Sequence, residues 1–120
     1  MIDIGSRLTE ELERMGMPII ASFWLFESES NNWKLRIATP EQETRGSFAV
    51  YDKISEAIRA IGLSHEEFAL RNVGLIWSYE KLVLALQEEF KEGPATTPIW
   101  WGRGAIRKVY VDDAYIYRVN

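Results

Sequence analysis

The residue to weigh first for chemistry is His65, because it is the single histidine of a chain that has no cysteine. Serine catalysis needs a base within hydrogen-bond reach of the hydroxyl, and histidine is the usual base. His65 directly follows Ser64, however, and residues 64–67 match the capping box S-x-x-E of a helix start. The sequence therefore predicts neither a catalytic serine nor a zinc site built from nitrogen or sulfur ligands.

Carboxylates are in better supply, since the chain carries 18 Asp and Glu residues and a formal net charge of −4. Acid–base catalysis or magnesium binding would require several of them in one cleft. Most lie on the polar faces of predicted helices, and Asp112 and Asp113 are typical turn residues between two predicted strands. Because the sequence also lacks a phosphate-binding glycine motif, it predicts no cofactor and favours a non-enzymatic protein.

The main candidate for a binding site is an aromatic and basic stretch near the C-terminus. Trp100 and Trp101 lie in a predicted loop, and neighbours in an extended segment point to opposite sides, so one can fill the core while the other stays reachable. Tryptophan, tyrosine and arginine are enriched at the centres of protein interfaces. The predicted interaction surface comprises Trp100, Trp101, Arg103, Arg107, Tyr110, Tyr115 and Tyr117.

Two other binding modes stay open. A pocket between sheet and helices could hold a small molecule or serve a carboxylate-dependent enzyme, and its predicted lining is Ser22, Trp24, Tyr51 and Tyr79. Aromatic stacking beside Arg103, Arg107 and Lys108 could instead bind single-stranded nucleic acid. The negative net charge disfavours contact with phosphates, so nucleic acid ranks third among these partners.

The first half of the chain supplies a helix and a hairpin to position these residues. Leu8, Leu12 and Met15 recur at helical spacing between acidic residues, which indicates an amphipathic helix. Residues 18–26 are apolar on both faces, as in a central strand that is covered on both sides. A polar turn and an alternating second strand over residues 33–37 complete the hairpin.

The second half is predicted as three helices and another hairpin. Residues 41–46 form a charged loop, and residues 73–77 are either a brief strand or a buried connection. The helices are predicted over residues 47–61, 64–71 and 78–90, with Ser78 as the last cap, and the strands over residues 105–111 and 114–119. The aromatic residues assigned to the core are Phe23, Trp24, Phe26, Trp33, Phe48 and Phe90.

These elements predict a small soluble α+β domain in the order α-β-β-α-α-α-β-β. One antiparallel sheet of about four strands, in two hairpins, carries the helices mainly on one face. The length of 120 residues favours a single domain over residues 1–120. The first residues lack a basic start and an apolar signal core, and no apolar run is long enough to span a bilayer. The expected localisation is therefore cytoplasmic.

Three segments carry a resemblance to other proteins. The runs at residues 16–24, which begin GMPI, LRIATP at residues 35–40 with Gly46 and Tyr51 after it, and DAYIYR at residues 113–118 look similar to small uncharacterised prokaryotic proteins. Those proteins are of the kind found in mobile or accessory gene sets. The resemblance implies an accessory function, and it brings with it no activity and no site residue.

The combined prediction is a non-enzymatic protein-interaction or self-associating module. The loop tryptophans and the tyrosines of the last strands favour a homo-oligomer, with a dimer favoured, or a separate protein partner. The small-molecule pocket is the alternative function.

Overall fold

The computed structural model describes residues 2–63, 68, 70–92, 99–102 and 104–120. Its first elements are helix α1 (Ile2–Arg14), strands β1 (Ala21–Glu27) and β2 (Asn32–Ala38), and helices α2 (Glu41–Arg45) and α3 (Ser47–Ala60). A 3-10 turn (Leu70–Asn72) leads into strand β3 (Val73–Leu75) and helix α4 (Lys81–Glu89). Strands β4 (Ile99–Trp101), β5 (Gly104–Ile106), β6 (Val109–Val111) and β7 (Ala114–Val119) follow. None of these helices is long and apolar enough to cross a membrane.

Five strands form one mixed sheet in the order β3-β2-β1-β7-β4. The predicted hairpin of β1 and β2 is present, with Trp24 opposite Leu35. Strand β7 pairs antiparallel with β1 and with β4, whereas β3 pairs parallel with β2. Strands β5 and β6 form a separate two-stranded sheet. The α+β class is therefore confirmed, while the prediction of one antiparallel sheet of four strands in two hairpins is wrong.

The C-terminal segment explains much of this difference. The sequence predicts one strand over residues 105–111, but the chain reverses there at Arg107 and Lys108, whose φ angles are 48° and 73°. Left-handed turn positions are usually Asn, Asp or Gly, so an Arg-Lys turn gives no signal in the sequence. Strand β6 consequently pairs with β5, and β7 pairs with β1 and β4.

Other local predictions also change. Residues 41–45 are helix α2 instead of a loop, since Pro40 already has the helical φ of −63°. Helix α4 begins at Lys81, because the Ser78 hydroxyl donates a hydrogen bond to the Glu43 carboxylate of α2 and does not cap the helix. The predicted helix start at residues 64–67, with Ser64 and His65, lies outside the described residues.

Apolar residues cover the sheet on both faces, as the two-sided pattern of β1 predicts. Helices α1 and α3 pack on one face, around Trp24 and Leu35. Helix α4 and the β5–β6 hairpin pack on the other face, around Phe23 and Ile116. The two longest helices thus share one face, whereas α4 covers the other, because both apolar faces of a central strand have to be buried.

Helix α1 comes very close to the sheet at Gly5. A Cβ atom at this position would lie 2.4 Å from Tyr117 Cε2 and 2.6 Å from Trp24 Nε1. One turn later, the Thr9 and Ser22 hydroxyls lie 2.7 Å apart in a buried hydrogen bond between α1 and β1. Glycine is therefore what allows α1 to pack on the strands that carry the aromatic residues of the site described next.

Candidate interaction site

The two adjacent tryptophans point to opposite faces of the edge strand β4. Ile99 and Trp101 pack against the core that α4 covers, whereas the Trp100 side chain is 57 % exposed. Trp100 lies opposite Tyr115 across the pairing of β4 with β7. The predicted loop is thus a strand at this point, and strand alternation makes Trp100 the exposed tryptophan.

Trp100 belongs to a row of aromatic rings that crosses the sheet. Its ring centroid lies 5.8 Å from that of Tyr115 and 6.3 Å from that of Trp33. The row continues from Trp33 to Phe26 at 5.4 Å, and from Tyr115 to Tyr117 at 5.5 Å. Tilted and edge-on rings at these separations attract one another. We call Phe26, Trp33, Trp100, Tyr115 and Tyr117 the aromatic row.

Phe26 and Trp33 are the members of the aromatic row that the predicted interaction surface omits. The sequence assigns both to the core because of strand alternation, yet both are only half-buried. They flank the polar β1–β2 turn, at the end of the hairpin. Aromatic residues that directly border such a turn are the signal that could have indicated their partial exposure.

Two other described residues of the predicted surface lie apart from the aromatic row. Arg107 and Tyr110 belong to the β5–β6 hairpin, which covers the opposite face of the sheet. The Arg107 guanidinium pairs with the Glu89 carboxylate at 3.1 Å, and the Tyr110 hydroxyl donates to Asp112 at 3.1 Å. Arg103 lies outside the described residues. The structure therefore brings the predicted aromatic residues of β4 and β7 together without the described basic ones.

The predicted pocket residues lie in three different surroundings. Ser22 and Trp24 are buried on β1 beneath α1, with 0 % and 2 % exposure. The Tyr51 hydroxyl of α3 accepts a hydrogen bond from the Leu75 N–H at 3.0 Å. Tyr79 is 63 % exposed, ahead of α4. The depression at Tyr51 on α3 is lined by none of the other three predicted pocket residues.

Phe48 is not a core residue, since its side chain is 89 % exposed. The buried stripe of α3 contains Val50, Ile54 and Ala57. Phe48 precedes Val50 by two residues, which turns it about 200° away around the helix. The helical stripe was predicted correctly, but Phe48 does not belong to it.

We expect Phe48→Ala to change the free energy of unfolding by no more than about 0.5 kcal/mol, as for other exposed positions. Burial in the core would instead make the same change cost about 3–5 kcal/mol. Urea unfolding followed by tryptophan fluorescence distinguishes the two. A loss in the larger range would contradict the exposed position of this side chain.

The Tyr117 hydroxyl is the one strongly perturbed titratable group among the described residues. Burial raises its pKa well above the usual value for tyrosine, and the neighbouring Trp24 indole N–H opposes part of that rise. Tyr117 is therefore a neutral hydroxyl at physiological pH, which suits a packing residue better than an acid or a base.

The raised pKa of Tyr117 predicts a loss of stability in alkali. The folded protein holds this proton more tightly than the unfolded chain, so the stabilisation is complete below about pH 10 and declines above it. The expected decline is up to about 1.4 kcal/mol per pH unit. Urea unfolding between about pH 8 and 11 measures it. Above about pH 10, the free energy of unfolding should decline less steeply with pH in Tyr117→Phe than in the wild type, whereas Tyr79→Phe should decline like the wild type. Equal slopes in the two variants would contradict the prediction.

Carboxylates outnumber cations at the end of the sheet where the aromatic row lies, within the part of the chain that the structure describes. The carboxylates are those of Glu27, Glu29, Asp112 and Asp113. Three of them, with two serines, line a depression of about 410 Å³ at the β1–β2 turn. The nearby cations are Lys34 and Arg36, and Arg36 already pairs with Glu27 at 3.1 Å. No described group of His, Asp and Glu could hold a metal ion.

The two edge strands of the sheet, β3 and β4, differ in whether side chains form hydrogen bonds with their backbone groups. At the β3 edge, Leu75 donates its N–H to Tyr51, and its carbonyl accepts a hydrogen bond from the Arg36 guanidinium at 3.1 Å. At the β4 edge, the described residues provide no hydrogen bond to Ile99–Trp101 other than the pairing with β7. Free edges are usually protected by charged side chains, and β4 has none.

Comparison with known proteins gives no assignment for this geometry. No family model, no curated protein and no solved structure matches the chain. The functional argument therefore rests on the residues and contacts described above.

Proposed function

We propose that this chain is a protein-interaction module that binds another polypeptide at β4 and the aromatic row. The observation that carries the proposal is the 57 % exposure of Trp100, at the centre of an uncharged edge strand. Burial of apolar surface contributes roughly 25 cal/mol per Å², and tryptophan offers one of the largest such surfaces. Tryptophan and tyrosine are also the residues that most often dominate protein interfaces.

The position of β4 at the edge of the described sheet supports the same function. A polypeptide that lies along β4 would form main-chain hydrogen bonds with it. Every second side chain of that polypeptide would then lie on the face of the aromatic row. The main-chain bonds would supply affinity, and the aromatic contacts would supply specificity.

A second copy of this chain would fit this surface, and the sequence favours a homodimer. Two β4 edges could pair around a two-fold axis, because such a contact uses the same surface on both copies. We further propose an accessory role in the cytoplasm of a prokaryotic cell, in line with the resemblance of its sequence segments.

The alternative functions have less support. Binding of single-stranded nucleic acid would need an excess of cations near the aromatic rings, whereas the described residues at this end of the sheet carry more carboxylates than cations. A small-molecule pocket would need its lining residues to converge, and Ser22 is instead occupied by its hydrogen bond to Thr9. A carboxylate-dependent enzyme would need acidic groups gathered in an enclosed cleft. The depression lined by Glu27, Glu29 and Asp112 lies instead at the exposed β1–β2 turn.

The proposed function is tested by selection of peptides from a random library of twelve-residue sequences displayed on phage. The bait is the wild-type protein, with Trp100→Ala and Phe48→Ala as parallel baits. We expect enriched peptides to bind the wild type and Phe48→Ala and to lose binding to Trp100→Ala. Peptides that bind all three proteins equally would place the binding surface elsewhere and overturn the proposal.

A further inference from the structure

We propose that the polypeptide bound at β4 is an extended, positively charged segment of another protein, which joins the sheet as a strand next to β4. This inference rests on the proposed function, because it names the chemistry of the partner for the same surface. Three independent features of the described residues support it: the closed β3 edge, the side on which Trp100 lies, and the local excess of carboxylates.

Strand addition at β4 is favoured because side chains already occupy backbone groups of Leu75 at the opposite edge. Both backbone groups of Leu75 are taken up by Tyr51 and Arg36, at 3.0 and 3.1 Å. Gly74 leaves room for the Arg36 side chain, since a Cβ atom there would lie 3.1 Å from Arg36 Nη1. Among the described residues β4 has no corresponding protection, and we therefore assign the added strand to the β4 edge.

An added strand would meet the aromatic row directly. Trp100 is the middle residue of β4, and its ring leans toward Tyr115 and Trp33 on the same face of the sheet. Side chains at alternate positions of the new strand would therefore lie on the exposed part of the indole. Lysine and arginine suit this place, since a cation above an aromatic ring is attracted to its π face.

The charges at this end of the sheet favour a basic segment over a second copy of this chain as the polypeptide bound at β4. Asp112 and Asp113 immediately precede Ala114, which lies opposite Trp101 of β4. Glu29 lies in the β1–β2 turn, and β1 is two strands away from β4, or roughly 10 Å. A second copy would bring the same carboxylates to the contact, whereas a basic segment would be attracted to them.

The charge of the selected peptides tests the partner chemistry. We expect peptides that depend on Trp100 to contain more Lys and Arg than Asp and Glu. For one such synthetic peptide, Glu29→Lys should weaken binding roughly fivefold, as expected for an exposed charge pair. Glu56→Lys makes the same change in net charge on exposed α3 and should change the affinity less than about twofold. Higher salt should reduce the difference between these variants.

Strand addition is tested separately with two N-methylated versions of that peptide. One version is methylated at the even-numbered residues and the other at the odd-numbered residues. A strand at an edge uses the N–H groups of one side only. One methylated form should therefore lose binding and the other should keep it. Equal binding of both forms, or loss of binding by both, would overturn strand addition.

The remaining outcomes separate this inference from the proposed function. Neutral or acidic peptides that still require Trp100 would overturn the basic partner and leave the interaction surface intact. A dimer in native mass spectrometry that disappears in Trp100→Ala would identify a second copy as the occupant and would also overturn the basic partner. Peptides that bind independently of Trp100 would overturn both the inference and the proposed function.

Discussion

Gly5→Ala is expected to destabilise the protein by about 2–3 kcal/mol, which is at the upper end of the usual cost of overpacking a core. The new methyl group would lie 2.4 Å from Tyr117 Cε2 and 2.6 Å from Trp24 Nε1. Both neighbours are almost fully buried, at 3 % and 2 % exposure, so neither ring can move into solvent without loss of its own packing. Relief of the clash therefore requires α1 to shift away from the sheet.

Helix propensity and the steric clash predict opposite changes in stability for Gly5→Ala, so the sign of the measured change distinguishes them. Alanine is favoured over glycine in a helix interior by about 1 kcal/mol, so an uncrowded position would become more stable. Urea unfolding of Gly5→Ala, with Ser6→Ala as the neighbouring control on α1, measures the difference. A stabilised Gly5→Ala variant would contradict the close approach of helix and sheet. Because the clash involves the Tyr117 ring, Tyr117→Val should lower the free energy of unfolding less in the Gly5→Ala protein than in the wild type.

Trp100→Ala is expected to weaken the binding of a selected peptide at least thirtyfold, or about 2 kcal/mol, the usual threshold for a dominant interface residue. The physical reason is that the indole offers its exposed face to the partner while Tyr115 and Trp33 support the opposite side. The folded protein itself should change little, because Trp100 is already 57 % exposed.

Two measurements keep the effect on binding separate from an effect on folding. Fluorescence anisotropy of a labelled peptide gives the affinity, and urea unfolding of the same preparations gives the stability. Phe48→Ala is the matched control, since it removes another exposed aromatic ring at 89 % exposure. If the two variants lost affinity equally, a general loss of exposed apolar surface would explain the result better than a specific site.

Several parts of the fold could be predicted because their pattern is contained in consecutive residues. The apolar run of β1 is covered on both faces, and its hairpin with β2 has the predicted turn. The stripes of α1 and α3 that carry Leu12 and Ile54 are buried as predicted. In each case the side-chain period of 2 or 3.6 residues fixes both the type of element and the face that it buries.

The candidate site depends more on tertiary structure than these local elements do. The sequence indicates that one of Trp100 and Trp101 is reachable, because strand alternation requires it. It does not show that Trp100 meets Trp33, which is 67 positions away in the chain and 6.3 Å away in space. The charged residues nearest to Trp100 in sequence are Arg103 and Arg107, both basic, so the excess of carboxylates at this end of the sheet was likewise not predicted.

The sequence by itself determined the α+β class, the central two-sided strand and the first hairpin. Only the tertiary structure decided the parallel pairing of β3, the pairing of β4 with β7, and the tight turn at Arg107 and Lys108. The physical reason is that a strand of three residues has almost no periodicity of its own. Its position is set by the long-range partners that satisfy its backbone and bury its side chains.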